Sequence, residues 1–145
     1  MSILREDLDL VTGFPAPVRG RFLNRRGGVV PVDLYSVVCV RDRVASQKWF
    51  EVFFGRPADE VIGEEYLWRA GENAWVVIDD RYMRAARVGG TMITLGVTDL
   101  DDILARLAGH GIEHEPVETY GNGVRHVEVL DPDGNSLSLA EAPAH

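Results

Sequence analysis

An internal repeat constrains this chain more than any other feature of its sequence. Residues 34–40 form an apolar, β-branched run typical of a buried strand, and residues 92–97 form a second run of the same kind. Each run leads to an aspartate in the position of a helix N-cap, Asp42 or Asp99, and these two are 57 residues apart (99 − 42). Asp102 would complete a variant of the capping box with Asp99. Apolar residues at helical spacing follow both aspartates, so each half begins with a strand and a helix.

Three short strand-like segments, separated by glycine-containing turns, follow each predicted helix. They cover residues 60–62, 65–69 and 74–78 in the first half and residues 113–117, 124–130 and 136–140 in the second. We therefore predict two βαβββ modules, module one at about residues 31–80 and module two at about residues 90–142. One module cannot bury its own sheet face, so the two should pair within a single α+β domain spanning residues 31–145.

Residues 1–30 lack this periodicity and hold several glycines, prolines and arginines. They are interpreted as an irregular N-terminal arm that packs against the body of the protein or against a partner subunit. A disordered tail is the alternative.

The composition excludes several classes of function. With 15 basic and 23 acidic residues the chain carries a formal net charge of −8, which disfavours binding to nucleic acid. That charge could attract cationic ligands, or it could simply favour solubility. No apolar run approaches the roughly 18 residues needed to span a bilayer. The first ten residues do not read as a signal peptide, and the single Cys39 suits a reducing compartment, so we expect a cytoplasmic protein without a membrane partner.

Three motifs carry a resemblance to a known group of proteins. The first is V-x-D at residues 40–42, followed by W-F at residues 49–50. The second is V-x-D at residues 97–99, which leads into G-H-G-I at residues 109–112, and the third is D-P-D-G-N at residues 131–135. Within a βαβββ repeat these motifs resemble the vicinal oxygen chelate superfamily, which includes glyoxalase I, extradiol dioxygenases and bleomycin-resistance proteins. The resemblance implies a cupped, mixed β-sheet formed by both modules around a central cleft, with the helices on its outer faces.

The resemblance also indicates where a metal site would lie. In metal-dependent members, four cleft side chains bind a divalent ion, two from each module, and they are His, Glu or Gln because such an ion needs nitrogen or oxygen donors. The matching positions here hold side chains that are not ordinary ligands: Tyr35, Val77, Met92 and Ser138. We therefore expect the family's metal site to be missing and no cofactor to be required. The alternative is a divalent metal in a displaced site around His126, Glu128 and Asp79.

Strand alternation indicates which side chains face the cleft. It gives eight candidates for ligand binding: Tyr35, Trp75, Asp79, Met92, Thr94, His126, Glu128 and Ser138. His126 and Glu128 lie two apart on one strand face, so they could form a general acid/base pair or an exposed edge pair without a role. Tyr35 could donate a proton or be a buried tyrosine, and Trp75 could stack on a planar ligand or pack in the core. The catalytic candidates are His126, Glu128 and Tyr35.

These observations lead to one functional prediction and two alternatives. The sequence predicts a glyoxalase/bleomycin-resistance-like protein that lacks the usual metal ligands and binds a small organic molecule in the cleft. A superfamily enzyme is the first alternative: a lyase, isomerase or dioxygenase that uses the displaced metal or acid/base residues alone. A structural or regulatory module with an unused cleft is the second. Because members of the superfamily commonly pair, we expect a homodimer, with Phe14 and Phe22 of the arm helping to bury its interface.

Overall fold

The computed structural model describes residues 21–23 and 29–144. The elements within these residues follow in chain order: β1 (Arg21–Leu23), β2 (Val29–Pro31), β3 (Leu34–Cys39), α1 (Arg43–Phe54), β4 (Glu60–Ile62), β5 (Glu65–Gly71), β6 (Ala74–Asp79), a 3-10 helix (Tyr82–Arg87), β7 (Met92–Gly96), α2 (Leu100–Gly109), β8 (Glu118–Thr119), β9 (Arg125–Val127) and β10 (Ser136–Glu141).

The strands after β2 form two sheets of equivalent topology. The sheet of module one has the order β3-β6-β5-β4, and the sheet of module two has the order β7-β10-β9-β8. In both sheets the first strand pairs in parallel with the last strand, and the remaining pairs are antiparallel. The predicted α+β fold of two βαβββ modules is confirmed, as two four-stranded mixed sheets with one α-helix each.

Part of the predicted N-terminal arm is visible as a small hairpin. β1 and β2 pair antiparallel, with Phe22 opposite Val30. Phe14, the other residue expected at a subunit interface, lies outside the described residues.

One hydrophobic core joins the two modules. Module one contributes Val38 and Val76 from its sheet and Phe50 from α1, and module two contributes Leu107 from α2 and Leu137 from β10. All five are at most 1% exposed, and burying one such side chain stabilises the fold by roughly 1.5–3 kcal/mol. The sheet residues of this core lie on the helix side that alternation assigns, and a second buried cluster contains Trp75 and Val77 from the opposite face of module one. Neither α-helix of the described chain has the length and apolar composition needed to cross a membrane.

The two helices begin differently. Asp42 caps α1 as predicted, because its Oδ1 accepts hydrogen bonds from the N–H groups two and three residues later, at 3.0 and 3.2 Å. Asp99 occupies the N-cap position of α2 as predicted, but its side chain makes no capping hydrogen bond to the helix. Glu141, 41 residues after Leu100 in the sequence, caps α2 instead. Its Oε2 accepts a hydrogen bond from the backbone N–H of Leu100 at 2.9 Å.

A similar hydrogen bond joins the start of α1 to the residue that follows β6. The backbone N–H of Arg43, the first residue of α1, donates to Oδ2 of Asp80 at 2.9 Å. Asp80 directly follows β6, and Glu141 ends β10, so each helix start is joined to the end of the last strand of its module. A carboxylate at this position also interacts favourably with the positive end of the helix dipole.

The second predicted strand of module two is nearly absent. Residues 113–117 were expected to be extended, but only Glu118–Thr119 forms a strand there, and β9 is limited to Arg125–Val127. Every residue from 113 to 120 is exposed, so this segment has no apolar side to hold it on the core. One backbone hydrogen bond, from Glu115 N to Glu128 O at 3.0 Å, keeps it near β9.

The D-P-D-G-N turn joins the two modules. Oδ1 of Asp131 accepts hydrogen bonds from the backbone N–H groups of Asp133 and Asn135, which shapes the turn. Asn135 then reaches both modules: its Nδ2 donates to the carbonyl of Cys39 at 3.1 Å, and its Oδ1 accepts from Thr91 N at 2.9 Å. Since Asn135 is fully buried, removing it would leave buried polar groups without partners.

Candidate functional site

A cavity of about 560 Å³ lies on the cleft face of module one. Its lining comes from β3, β6, the 3-10 helix and the segment before β7: Tyr35, Val37, Cys39, Asp79, Arg84, Arg87, Gly90 and Thr91. Alternate residues of β3 point to this side because successive side chains of a strand point to opposite faces. The cavity therefore occupies the side of the sheet opposite α1.

Tyr35 forms the aromatic part of the cavity wall. Its ring lies parallel to that of Trp75, with an interplanar angle of 8° and a centroid separation of 6.2 Å. Trp75 itself is only 2% exposed, and the guanidinium of Arg69 lies 4.6 Å from its ring centroid. A ligand in the cavity would thus contact Tyr35 directly. Trp75 does not line the cavity but packs against the ring of Tyr35.

The phenol of Tyr35 keeps its proton at neutral pH. Burial, followed by the nearby carboxylate of Asp33, raises its pKa to about 12, and the positive charge of Arg69 offsets only part of this. Tyr35 therefore presents a neutral side chain to the cavity.

A charged cluster lies at the floor of the cavity, and two of its members, Asp79 and Arg84, line it. Asp79 is 1% exposed and Glu65 is 2% exposed. Arg81 joins them, with its Nη2 at 2.5 Å from Oε1 of Glu65 and its Nε at 3.3 Å from Oδ1 of Asp79. Arg84 approaches Asp79 from the other side, its Nη1 at 3.2 Å from Oδ2. Two buried carboxylates are thus balanced by two guanidinium groups, as burial of charge requires.

Cys39 lies in the same wall and is buried. Burial and the carboxylate of Asp79 raise the pKa of its thiol, which outweighs the opposing effect of Arg84 and Arg87. A thiol with a raised pKa is a weak nucleophile, so Cys39 contributes volume and packing rather than chemistry.

Module two places its cleft-face candidates elsewhere. Thr94 lies opposite Ser138 across the β7–β10 pair, and Met92 is 78% exposed. Oε2 of Glu128 accepts a hydrogen bond from the Ser136 hydroxyl at 2.7 Å.

The ring of His126 stacks against Tyr120, with centroids 5.7 Å apart. Of the eight predicted ligand-binding residues, only Tyr35 and Asp79 line the cavity, with Trp75 directly behind. The structure does not bring His126 and Glu128 to that cavity.

The residues at the family's metal positions do not fit a divalent ion. Val77 is fully buried and has no donor atom, and Tyr35 holds its proton. Within residues 29–144 no three His, Cys, Asp or Glu side chains form a group that could hold a metal, so Asp79, His126 and Glu128 do not make the displaced site.

Sequence reasoning missed the arginines of the 3-10 helix. Arg81, Arg84 and Arg87 recur at every third residue, and side chains three apart lie on the same side of a 3-10 helix. The three-residue spacing of these arginines could have indicated that they share one face. It is informative only in a 3-10 helix, and nothing in the sequence predicted a 3-10 helix here.

Comparison with known proteins agrees with this fold. The chain is similar to the crystal structure of a glyoxalase/bleomycin resistance protein from Catenulispora acidiphila DSM 44928, with 35% identity, a TM-score of 0.69, and coverage of 77% of this chain and 99% of that one. A lactoylglutathione lyase from Agrobacterium tumefaciens is 20% identical, with a TM-score of 0.59 and coverage of 74% and 91%. The oxidase ChaP-H1 is 21% identical, with a TM-score of 0.61 and coverage of 79% and 97%. No protein-family model matches the chain, and no curated protein sequence matches it.

Two paired βαβββ modules with this topology define a vicinal oxygen chelate protein. Since the chain covers nearly all of a relative that is 35% identical to it, it belongs to the glyoxalase/bleomycin resistance protein family.

Proposed function

We propose that this protein binds a small organic molecule, without a metal ion, in the cavity on the cleft face of module one. The observation that carries the proposal is the cavity itself, whose volume of about 560 Å³ lies within the range of roughly 300–1,000 Å³ usual for small-molecule sites. Its wall combines an apolar part, formed by Tyr35 and Val37, with a few polar groups that could fix a ligand's orientation.

The positions of the catalytic candidates favour binding over acid/base catalysis. His126 is stacked on Tyr120, and Glu128 is hydrogen-bonded to Ser136, so neither faces the cavity. Only Tyr35 of the three candidates lies in its wall.

The test uses an uncharged fluorescent probe, 1-N-phenylnaphthylamine, with protein that has been treated with EDTA. We expect saturable binding by fluorescence. Val37→Phe should weaken that binding by about tenfold, because the larger side chain fills cavity volume. Val44→Phe is the matched control, since Val44 is 56% exposed on α1, away from the cavity. If the probe does not bind, binds only after metal is added, or binds both variants equally, the proposal is wrong.

We also propose that the protein acts as a homodimer in the cytoplasm. Support comes from the apolar side chains of Leu34 and Met92, which are 60% and 78% exposed at the starts of β3 and β7. Both strands are at the edges of their sheets in the described chain. Sedimentation of the unmodified protein should give the mass of two chains, and the Met92→Glu variant should give the mass of a single chain. Tyr82→Glu, at a position that is 87% exposed, should remain dimeric. A single-chain mass for the unmodified protein would contradict the proposal.

A further inference from the structure

The cavity has a local charge opposite to that of the whole protein. The chain carries a formal net charge of −8, yet the eight lining residues include two arginines, Arg84 and Arg87, and one acid, Asp79. Tyr35 and Cys39, the other titratable residues of the lining, are held in their neutral forms by their raised pKa values. Within the part of the chain that the structure describes, the lining therefore carries one net positive charge.

The charged groups behind the lining are paired or hydrogen-bonded to other groups, and beside Tyr35 the negative charge of Asp33 is opposed by the positive charge of Arg69. Glu65 and Arg81 form an ion pair below the floor and cancel each other. Asp80 is directed to the backbone N–H of Arg43, and Asp133 to that of Arg41. No carboxylate in the described part of the chain other than Asp79 forms an ion pair with the two lining arginines.

Both lining arginines retain hydrogen-bonding capacity. Nη1 of Arg84 is buried and ion-paired with Asp79 at 3.2 Å, so a ligand would meet the rest of its guanidinium, which lines the cavity. Arg87 is exposed at the cavity, and no ion-pair partner for it exists among the described residues. A guanidinium presents a planar fork of N–H donors that matches the geometry of a carboxylate.

We propose that the ligand of this cavity is an organic monocarboxylate, an inference that rests on the proposed function. Its carboxylate binds at Arg84 and Arg87, and its apolar body lies against Tyr35 and Val37. One negative charge matches the net positive charge of the lining, whereas a cationic ligand would have to approach two guanidinium groups and a dianion would exceed the available charge. Local charge, rather than the net charge of the protein, selects the ligand.

The test compares three probes that share one ring system and differ in charge: 2-naphthoate, 2-naphthamide and 2-naphthylmethylammonium. Binding is measured by calorimetry, and the site is located from backbone NMR shifts of Tyr35 and Thr91. We expect 2-naphthoate to bind about tenfold more tightly than the amide, and the ammonium to bind most weakly. Added salt should weaken binding of 2-naphthoate but not of the amide.

Arg87→Gln is the most informative variant, because Arg87 is exposed and its loss leaves no buried charge unpaired. It should lower the affinity for 2-naphthoate about tenfold and leave the amide within about twofold. Arg84→Lys keeps the charge beside Asp79 but removes the fork, and it should also weaken 2-naphthoate selectively. Lys48→Gln removes the same charge from an exposed site on α1 and should change neither affinity.

The outcomes separate the two proposals. Equal binding of the acid and the amide, stronger binding of the ammonium, or no effect of Arg87→Gln would overturn the charge inference and leave the cavity as a binding site. Failure of all three probes, together with failure of the uncharged 1-N-phenylnaphthylamine, would overturn both.

Discussion

The two modules share their architecture but differ in the chemistry of the sheet face that points away from the helices. In module one this face carries Val37 opposite Val77 and Tyr35 opposite Trp75. In module two the equivalent β7–β10 pair carries Thr94 opposite Ser138. The helix-facing sides are alike, since both contribute apolar residues to one core. Packing against a common core constrains one side of each sheet, whereas the other side has diverged, and the cavity lies on module one.

The acids at the ends of β6 and β10 also differ in their surroundings. β6 ends in Asp79 and β10 ends in Glu141, and both strands are six residues long. Asp79 is buried at the cavity between Arg81 and Arg84. Glu141 caps α2 and pairs with Arg125 near the surface. By the register of the two sheets the counterpart of Glu141 is Asp80, and both accept a hydrogen bond from the first N–H of their helix. The buried acid Asp79 corresponds to Ala140, so its charge cluster is present in module one alone among the described residues.

Replacing Asp79 and Glu141 should give the largest difference between the modules. Asp79→Asn leaves Arg84 buried and without its counter-charge, and such a loss costs about 3–5 kcal/mol of the free energy of unfolding. Glu141→Gln should cost clearly less, because its ion pair with Arg125 is close to solvent. Urea denaturation of both variants measures the difference. Equal losses of unfolding free energy in the two variants would show that the buried cluster contributes no more to stability than the surface ion pair.

The helix N-caps provide the next comparison. Asp42→Ala should lower the free energy of unfolding by about 1 kcal/mol, because it removes an acceptor for two N–H groups of α1. Asp99→Ala should have no measurable effect, since the Asp99 side chain does not cap α2. The same denaturation experiment tests the pair, and a comparable loss in both variants would contradict the assignment of the α2 cap to Glu141.

The smallest expected effect is a pH dependence confined to module two. Hydrogen bonds from the side chain of Arg125 and then from the N–H of Leu100 hold the pKa of Glu141 below its ordinary value of 4.5. Because the folded pKa is the lower one, the stabilisation is complete above the ordinary value and is lost as the pH falls through the folded pKa. The stability difference between the unmodified protein and Glu141→Gln should therefore shrink between neutral pH and about pH 3. A difference that persists at the acid end would show that packing, rather than charge, is responsible.

The sequence predicts the features that depend on neighbouring residues. The βαβββ repeat, the capping of α1 by Asp42, and the helix side of each sheet all follow from periodicity and from short-range hydrogen bonding. The strand at residues 113–117 was wrongly predicted, because strand pairing also requires an apolar side and that segment is exposed throughout. Local patterns show which side chains alternate, but not whether a core lies beside them.

The candidate site was less predictable because long-range contacts assemble it. Glu141 reaches α2 from 41 residues away. Arg84 and Arg87 enter the cavity from a 3-10 helix that no sequence pattern indicated. Trp75 was expected as a candidate for stacking on a ligand, but the ring of Tyr35 and the guanidinium of Arg69 cover it. Which side chain is outermost on a face depends on its neighbours in three dimensions, and alternation along one strand does not contain that information.

The hydrogen bonds of Asn135 have a consequence for the order in which this protein folds during synthesis. The carbonyl at the end of β3 receives its partner from a residue 96 positions later in the chain. Contacts so distant in sequence form slowly, because a long loop must close before they are gained. Until Asn135 has been synthesised and can fold, β3 lacks this partner and module one is incomplete at the edge beside the cavity. We therefore expect the two modules to reach their final state together rather than one after the other.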